Sequence, residues 1–204
     1  MSARRLATVL LGLGVGALVA CGSSGDDAAS VATSPESSAV TERIARLDEA
    51  VDRWRSAASI AEARVAAETA ANLIVGPNGP GYADRNGDAA VDGDTDAGLL
   101  PGLDGTPDGL ANPLADNPCI ERDVLGGAWD DPSARWAEMT AAIEAWRPDG
   151  NTMPTLASHP MRVVGWATFT LDTDPAAPDA LDLAHEYAGH AALHVAISAD
   201  ALTC

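Results

Sequence analysis

TERIARLDEAVDRWRSAASIAEARVAAETAANLIVG, residues 41–76, decides the fold. Apolar side chains recur at Ile44, Leu47, Val51, Trp54, Ala58, Ala61 and Val65 and continue towards Leu73. Steps of three and four place them on one face of an α-helix. Thr41 followed by Glu42 reads as an N-cap, and Gly76, Pro77 and Gly79 end the run, so the spacing predicts one long amphipathic helix. Glu42, Arg46, Asp52, Arg53, Arg55, Glu62, Arg64 and Glu68 interleave opposite charges on the other face, as a solvated surface does.

Three more helices follow by the same reading. One opens at Asp131, Pro132 and Ser133 and carries Trp136, Met139, Ile143 and Trp146 before RPDGN, residues 147–151, ends it. Proline is tolerated at a first helical position because its missing N–H would be unpaired there anyway. The next starts at Ser158 or Pro160 and runs through MRVVGWATFTL, with Gly165 as its weak point, and the last spans about Pro178 to Ser198. Nothing alternates as a strand does. The expected fold class is all-α, an irregular bundle of about four helices. A long acidic connection rich in Gly, Pro and Asp, from Gly76 to Asp130, joins the first two helices. A loop of that length needs something to order it. The roughly 165 residues from 40 to 204 suit a single domain with one core. Only eight residues are aromatic, five of them Trp, so Ala, Leu, Val and Ile must supply the core. Trp129, Trp136, Trp146 and Trp166 read as its anchors rather than as a ligand groove.

The N-terminus sets the compartment. Arg4 and Arg5 precede LATVLLGLGVGALVA, Leu6 to Ala20, an uninterrupted apolar run. It is shorter than the ~20 residues that span a bilayer and suits a signal peptide over residues 1–20. The run closes on LVAC, residues 18–21, followed by GSSG, and this resembles the lipobox of bacterial lipoproteins. The resemblance implies cleavage before Cys21, lipidation of that residue, and a cell-membrane anchor of acyl chains facing the extracytoplasmic side. An ordinary cleaved signal is the alternative. The Arg4–Arg5 pair alone does not separate Sec from twin-arginine export. Residues 21–39 are then the lipidated cysteine and a small, polar, flexible tether.

Loss of the signal takes the formal charge from −18 to −20, because Arg4 and Arg5 leave with it. So acidic a surface excludes electrostatic binding of nucleic acid or anionic lipid. Cys119 and Cys204 remain, and in an oxidising compartment two leftover thiols most simply form a disulfide. Unpaired thiols or a metal pair are the alternatives, and neither has CxxC spacing behind it.

Within the long connection, GYADRNGDAAVDGDTDAG, residues 81–98, holds five aspartates and one asparagine at nearly alternate positions. Alternation turns successive oxygens inward to one hard cation. Asp84, Asn86 and Asp88 fit the first, third and fifth ligand positions, the Ala90 carbonyl the seventh and Asp92 the ninth. The segment resembles EF-hand and dockerin-type calcium loops, and the resemblance implies a structural calcium ion. Two positions depart from that pattern. Ala89 stands where the sixth-position glycine is expected, and Thr95 stands at the twelfth, flanked by Asp94 and Asp96, either of which could close the shell. A merely solvated acidic turn is the other reading. Calcium would seat GLLPG, residues 98–102, and let Leu99 and Leu100 plug the bundle.

HEYAGHAALH, residues 185–194, invites comparison with the zinc-protease HExxH motif, and the comparison fails. His185 and His190 are five apart and diverge by about 140° around a helix. Glu186, His190 and His194, spaced four and four, fall within about 80° of one face. With His159 from the preceding helix start they could hold Zn or Fe. The same stripe reads as the plain polar face of a helix whose other side carries Leu181, Ala184, Ala188, Ala191 and Val195. His185 reads as a packed or capping residue.

No GxSxG, SxxK or phosphate-cradling loop is present outside the signal. The expectation is a membrane-anchored extracytoplasmic module that binds an unspecified protein or small molecule without catalysis. The alternative is a metal-dependent enzyme or a Zn/Fe-capture protein built on the Glu/His face.

Overall fold

The computed structural model describes residues 35–117, 120, 124–127, 129–146 and 156–203. The signal segment, the tether up to residue 34, and all three cysteines, Cys21, Cys119 and Cys204, lie outside them. Every regular element among the described residues is helical, and none is a strand. Their α-helices are α1 (Pro35–Arg55), α2 (Ile60–Val75), α3 (Pro132–Trp146), α4 (His159–Asp172) and α5 (Ala180–Asp200).

The first helix departs from the sequence reading in two ways. It starts at Pro35, so residues 35–39 of the expected tether are helical, and Thr41 lies inside it with its hydroxyl donating to the Ser37 carbonyl at 2.8 Å. It also breaks: α1 ends at Arg55 and α2 begins at Ile60. The break is a pair of local caps. The Ser56 hydroxyl turns back to the Asp52 carbonyl at 2.7 Å, and the Ser59 hydroxyl accepts from the Glu62 N–H at 3.2 Å. Glu62 in turn accepts from the Ala58 N–H at 2.7 Å. The Ser59 and Glu62 bonds take up N–H groups at the start of α2, and the Ser56 bond serves a carbonyl at the end of α1. The apolar period runs on across the gap through Ala57, Ala58 and Ala61, which is why spacing alone reads as one helix.

The break reverses the chain, and α1, α2, α4 and α5 close into a ring in which α1 packs on α2, α2 on α4, α4 on α5 and α5 on α1. Side chains at the helix ends establish that neighbours run antiparallel. Arg43 early in α1 reaches the Leu73 carbonyl late in α2, and Arg64 early in α2 reaches the Leu171 carbonyl late in α4. His159 opens α4 and meets His194 late in α5, while His185 early in α5 meets the Ala57 carbonyl just past α1. This is an up-down-up-down four-helix arrangement. Its centre holds Leu47, Val51 and Trp54 of α1, with buried alanines at 63, 66, 67, 70 and 71 of α2 and at 184, 188 and 191 of α5. Such small residues allow α2 and α5 to approach across the diagonal as well. Trp129, Trp136, Trp146 and Trp166 are all buried in the core.

The long connection and α3 are inserted between the second and third helices of the ring. Leu99 and Leu100 are fully buried, each worth about 1.5–3 kcal/mol of apolar burial. Their N–H groups donate to the Leu73 and Ile74 carbonyls at 3.2 and 3.0 Å, satisfying acceptors that the α2 C-terminus would otherwise leave open. Glycine is required at 98 for this approach, since a Cβ there would lie 2.6 Å from the carbonyl oxygens of Ile74 and Val75. Arg43, buried with no carboxylate partner among the described residues, donates to Leu73 O at 2.8 Å, Ala97 O at 2.6 Å and Thr95 Oγ1 at 2.6 Å. Burial lowers the pKa of its guanidinium.

Candidate functional site

The acidic turn is built around a carboxylate the charge pattern had assigned to the solvent. Glu68 of α2 is completely buried. Its Oε2 accepts from the backbone N–H groups of Arg85 and Asn86 at 2.7 and 2.8 Å, and its Oε1 from that of Asp92 at 3.0 Å. One turn further along α2, the Asn72 amide donates to the Asp92 carbonyl at 2.7 Å. Both ends of the turn are thus tied to α2. Arg64 is likewise not on a solvated face, since its second guanidinium nitrogen donates to the Arg85 carbonyl at 3.3 Å. Arg85 points back to α4, with its guanidinium 4.0 Å from the Asp172 carboxylate and 3.4 Å from Thr168 Oγ1. Burial lowers its pKa, and Asp172 and Glu68 act in the opposite direction.

Within the turn, the Asp84, Asn86, Asp88 and Asp92 side chains each have a backbone or side-chain partner. Asp84 accepts from Gly87 N–H through Oδ1 at 2.7 Å and from Ala89 N–H through Oδ2 at 2.8 Å. Asn86 accepts from Asp88 N–H at 2.8 Å and donates to Asp92 Oδ2 at 2.8 Å. Asp88 Oδ1 accepts from Ala90 N–H at 2.9 Å. These bonds join Asp84, Asn86, Asp88, Ala90 and Asp92 in one closed turn. Asp94 is drawn elsewhere, accepting from Tyr82 Oη at 2.6 Å and from Thr95 N–H at 2.9 Å, and Asp96 is exposed. Desolvation, followed by the bond to Asp94, raises the Tyr82 pKa. Ala89, at the sixth loop position, has φ 72° and is the one non-glycine residue with positive φ among those described. Among the described residues no three His, Cys, Asp or Glu side chains are already gathered as a metal set. A groove of about 580 Å³ runs beside the turn, between Asp88 and the corner of α1 and α2 at Arg53, Ala57 and Val65.

The histidine stripe divides. His159 and His194 come together, Nδ1 to Nδ1, at 3.0 Å across the seam of α4 and α5. His190 instead lies flat on Trp166, with centroids 4.3 Å apart and planes 11° from parallel. Glu186 is exposed, so the four expected ligands do not form one set. Burial foremost, then the electrostatic influence of His159, Arg162 and His190, lowers the His194 pKa to about 4. His185 packs on the α1–α2 corner, its Nε2 2.9 Å from the Ala57 carbonyl oxygen. Compared with known proteins, the chain matches no family model, no curated protein and no solved structure.

The structural role of Glu68 has a sequence signal. It is the sole charge between Val65 and Val75, in a stretch otherwise made of apolar and small polar residues, and a lone charge there calls for a buried partner.

Proposed function

We propose that this chain is a lipid-anchored, extracytoplasmic, non-enzymatic binding module whose acidic turn takes up calcium as a structural ion. The observation that carries the calcium reading is the left-handed backbone at Ala89. An alanine in that conformation is disfavoured by about 1–2 kcal/mol and persists only where its surroundings enforce it. It falls where a calcium loop makes its sharp turn, and Asp84, at the first ligand position, accepts from its N–H at 2.8 Å. Asp88 Oδ2 and Asp92 Oδ1 receive no hydrogen bond from a described residue, so both are available as ligands. The lipobox resemblance at LVAC supports the anchor, and the −18 formal charge supports a partner other than nucleic acid.

Calcium titration of the purified chain tests the ion. A site of about 10⁻⁴ M in 2 mM calcium stabilises by about 1.8 kcal/mol, or about 4–7 °C in Tm for a domain of this size. Asp84→Asn with Asp88→Asn is expected to abolish the shift. Equal melting temperatures in calcium and in EGTA would remove the ion from the reading. The anchor is tested separately by Cys21→Ser, which is expected to move the protein from the membrane to the soluble fraction.

A further inference from the structure

We propose that His159 and His194 form the core of a transition-metal site for a borderline divalent ion, Cu²⁺ or Zn²⁺, bound through both Nδ1 atoms. The site is separate from the acidic turn and goes beyond the calcium reading, giving the binding module a ligand class of its own.

The geometry carries the inference. Imidazole nitrogens bind such ions at about 2.0–2.1 Å. Two neighbouring ligands on one ion are therefore about 2.8 Å apart at a right angle and about 3.3 Å apart at the tetrahedral angle. The observed 3.0 Å, the length of the N–H···N bond that joins the rings, lies between these values, so an ion could replace the shared proton by turning both lone pairs to one point without separating the nitrogens. They are supplied by different antiparallel helices, each fixed close by. The Ser158 hydroxyl caps α4, the His159 N–H donates to the Val124 carbonyl at 2.9 Å, and the Ser198 hydroxyl bonds the His194 carbonyl at 2.9 Å. The chain has four histidines, and three of them, His159, His190 and His194, lie along this one seam.

The donor set selects the ion. In the metal-free pair one ring donates its Nδ1 proton and the other accepts it. On metal binding the donor ring moves its proton from Nδ1 to Nε2, both imidazoles remain neutral, and the ion exchanges two of its waters for two nitrogens. No electron is transferred. Calcium and magnesium require oxygen ligands, whereas imidazole suits copper and zinc. Arg162 stands close to the pair and opposes ions held by charge alone, which again favours donated lone pairs.

The test is Cu²⁺ titration of the full chain in saturating calcium, followed by electron paramagnetic resonance. One ion per chain with two coordinated imidazole nitrogens is expected. His159→Ala and His194→Ala should each weaken binding by about tenfold or more and remove one nitrogen coupling. The Gln variants at both positions serve if an alanine variant loses its helical circular dichroism. Unchanged affinity and couplings in the variants, or a bound ion with oxygen ligands only, would overturn the assignment. Asp84→Asn with Asp88→Asn should leave copper binding intact while removing the calcium response, so the two readings fail independently.

Discussion

Replacing Glu68 tests how the long connection is held. Glu68→Ala removes a carboxylate that accepts three backbone N–H groups, at 2.7, 2.8 and 3.0 Å, from a completely buried position. Hydrogen bonds to a charged group contribute about 1.5–3 kcal/mol each, which in sum is large. Against that stands the desolvation cost of the buried ion, several kcal/mol, which the alanine variant no longer bears. What remains is three donors left without an acceptor, plus the space vacated by the side chain. The net loss is expected to be about 3–5 kcal/mol, a large part of the 5–15 kcal/mol typical of a domain. Glu68→Gln is the milder probe. Its amide oxygen can keep the Arg85 and Asn86 bonds, but its NH₂ then faces the Asp92 N–H, donor against donor, at a cost of about 1.5–3 kcal/mol. Urea unfolding followed by circular dichroism gives both values. Hydrogen exchange should show faster opening at residues 85, 86 and 92. If Glu68→Ala lay within about 1 kcal/mol of the parent, with exchange at those amides unaltered, the carboxylate could not be the anchor of the turn.

Ala89→Gly relieves the left-handed backbone, and the gain is partly offset by the greater freedom of glycine in the unfolded chain. A stabilisation of about 0.5–1 kcal/mol in thermal melting is expected, and a destabilised variant would contradict the strain. His194 supplies a pH dependence in the metal-free protein. Its folded value of about 4 lies below the ordinary 6.5, so below pH 6.5 the unfolded chain takes up a proton that the native state refuses. Stability should therefore fall as pH drops from about 6.5 to about 4 and level off below that, with no contribution above pH 7. Full linkage would give about 3 kcal/mol, and screening of the partly exposed ring brings it to about 1–2 kcal/mol. The difference between the parent and His194→Gln isolates this contribution from the many carboxylates. A difference independent of pH between 7 and 4.5 would rule it out.

The helical period made α3, α4 and α5 legible, since each is bounded by local chemistry: Asp131 with Pro132, Ser158 as a cap, and the turn before Ala180. The split between α1 and α2 was also written locally, in Ser59 and Glu62, but alanines on both sides kept the apolar period continuous and masked it. The roles of Arg43, Arg64 and Glu68 were less legible because their partners are backbone groups 17 to more than 100 residues away in the chain. A charged residue facing such partners has the same helical spacing as one facing water. The Leu99 and Leu100 plug was expected as a consequence of calcium ordering the loop, whereas the bonds that seat it run to the last carbonyls of α2, which periodicity does not reveal. The meeting of His159 with His194 depends on α4 and α5 lying antiparallel, which periodicity along one helix does not encode.

The two ring members that face each other across the diagonal, α2 and α5, are lined with alanine, so little side chain stands between their backbones. There is almost nothing at that crossing to hollow out. The bundle is instead vulnerable to surplus: a single added isopropyl or ring on either helix must wedge the pair apart, and the strain would spread to all four ring contacts at once. The α2–α5 crossing therefore sets an upper limit on side-chain size, whereas the α1 side of the core, with Leu47, Val51 and Trp54, has volume to lose.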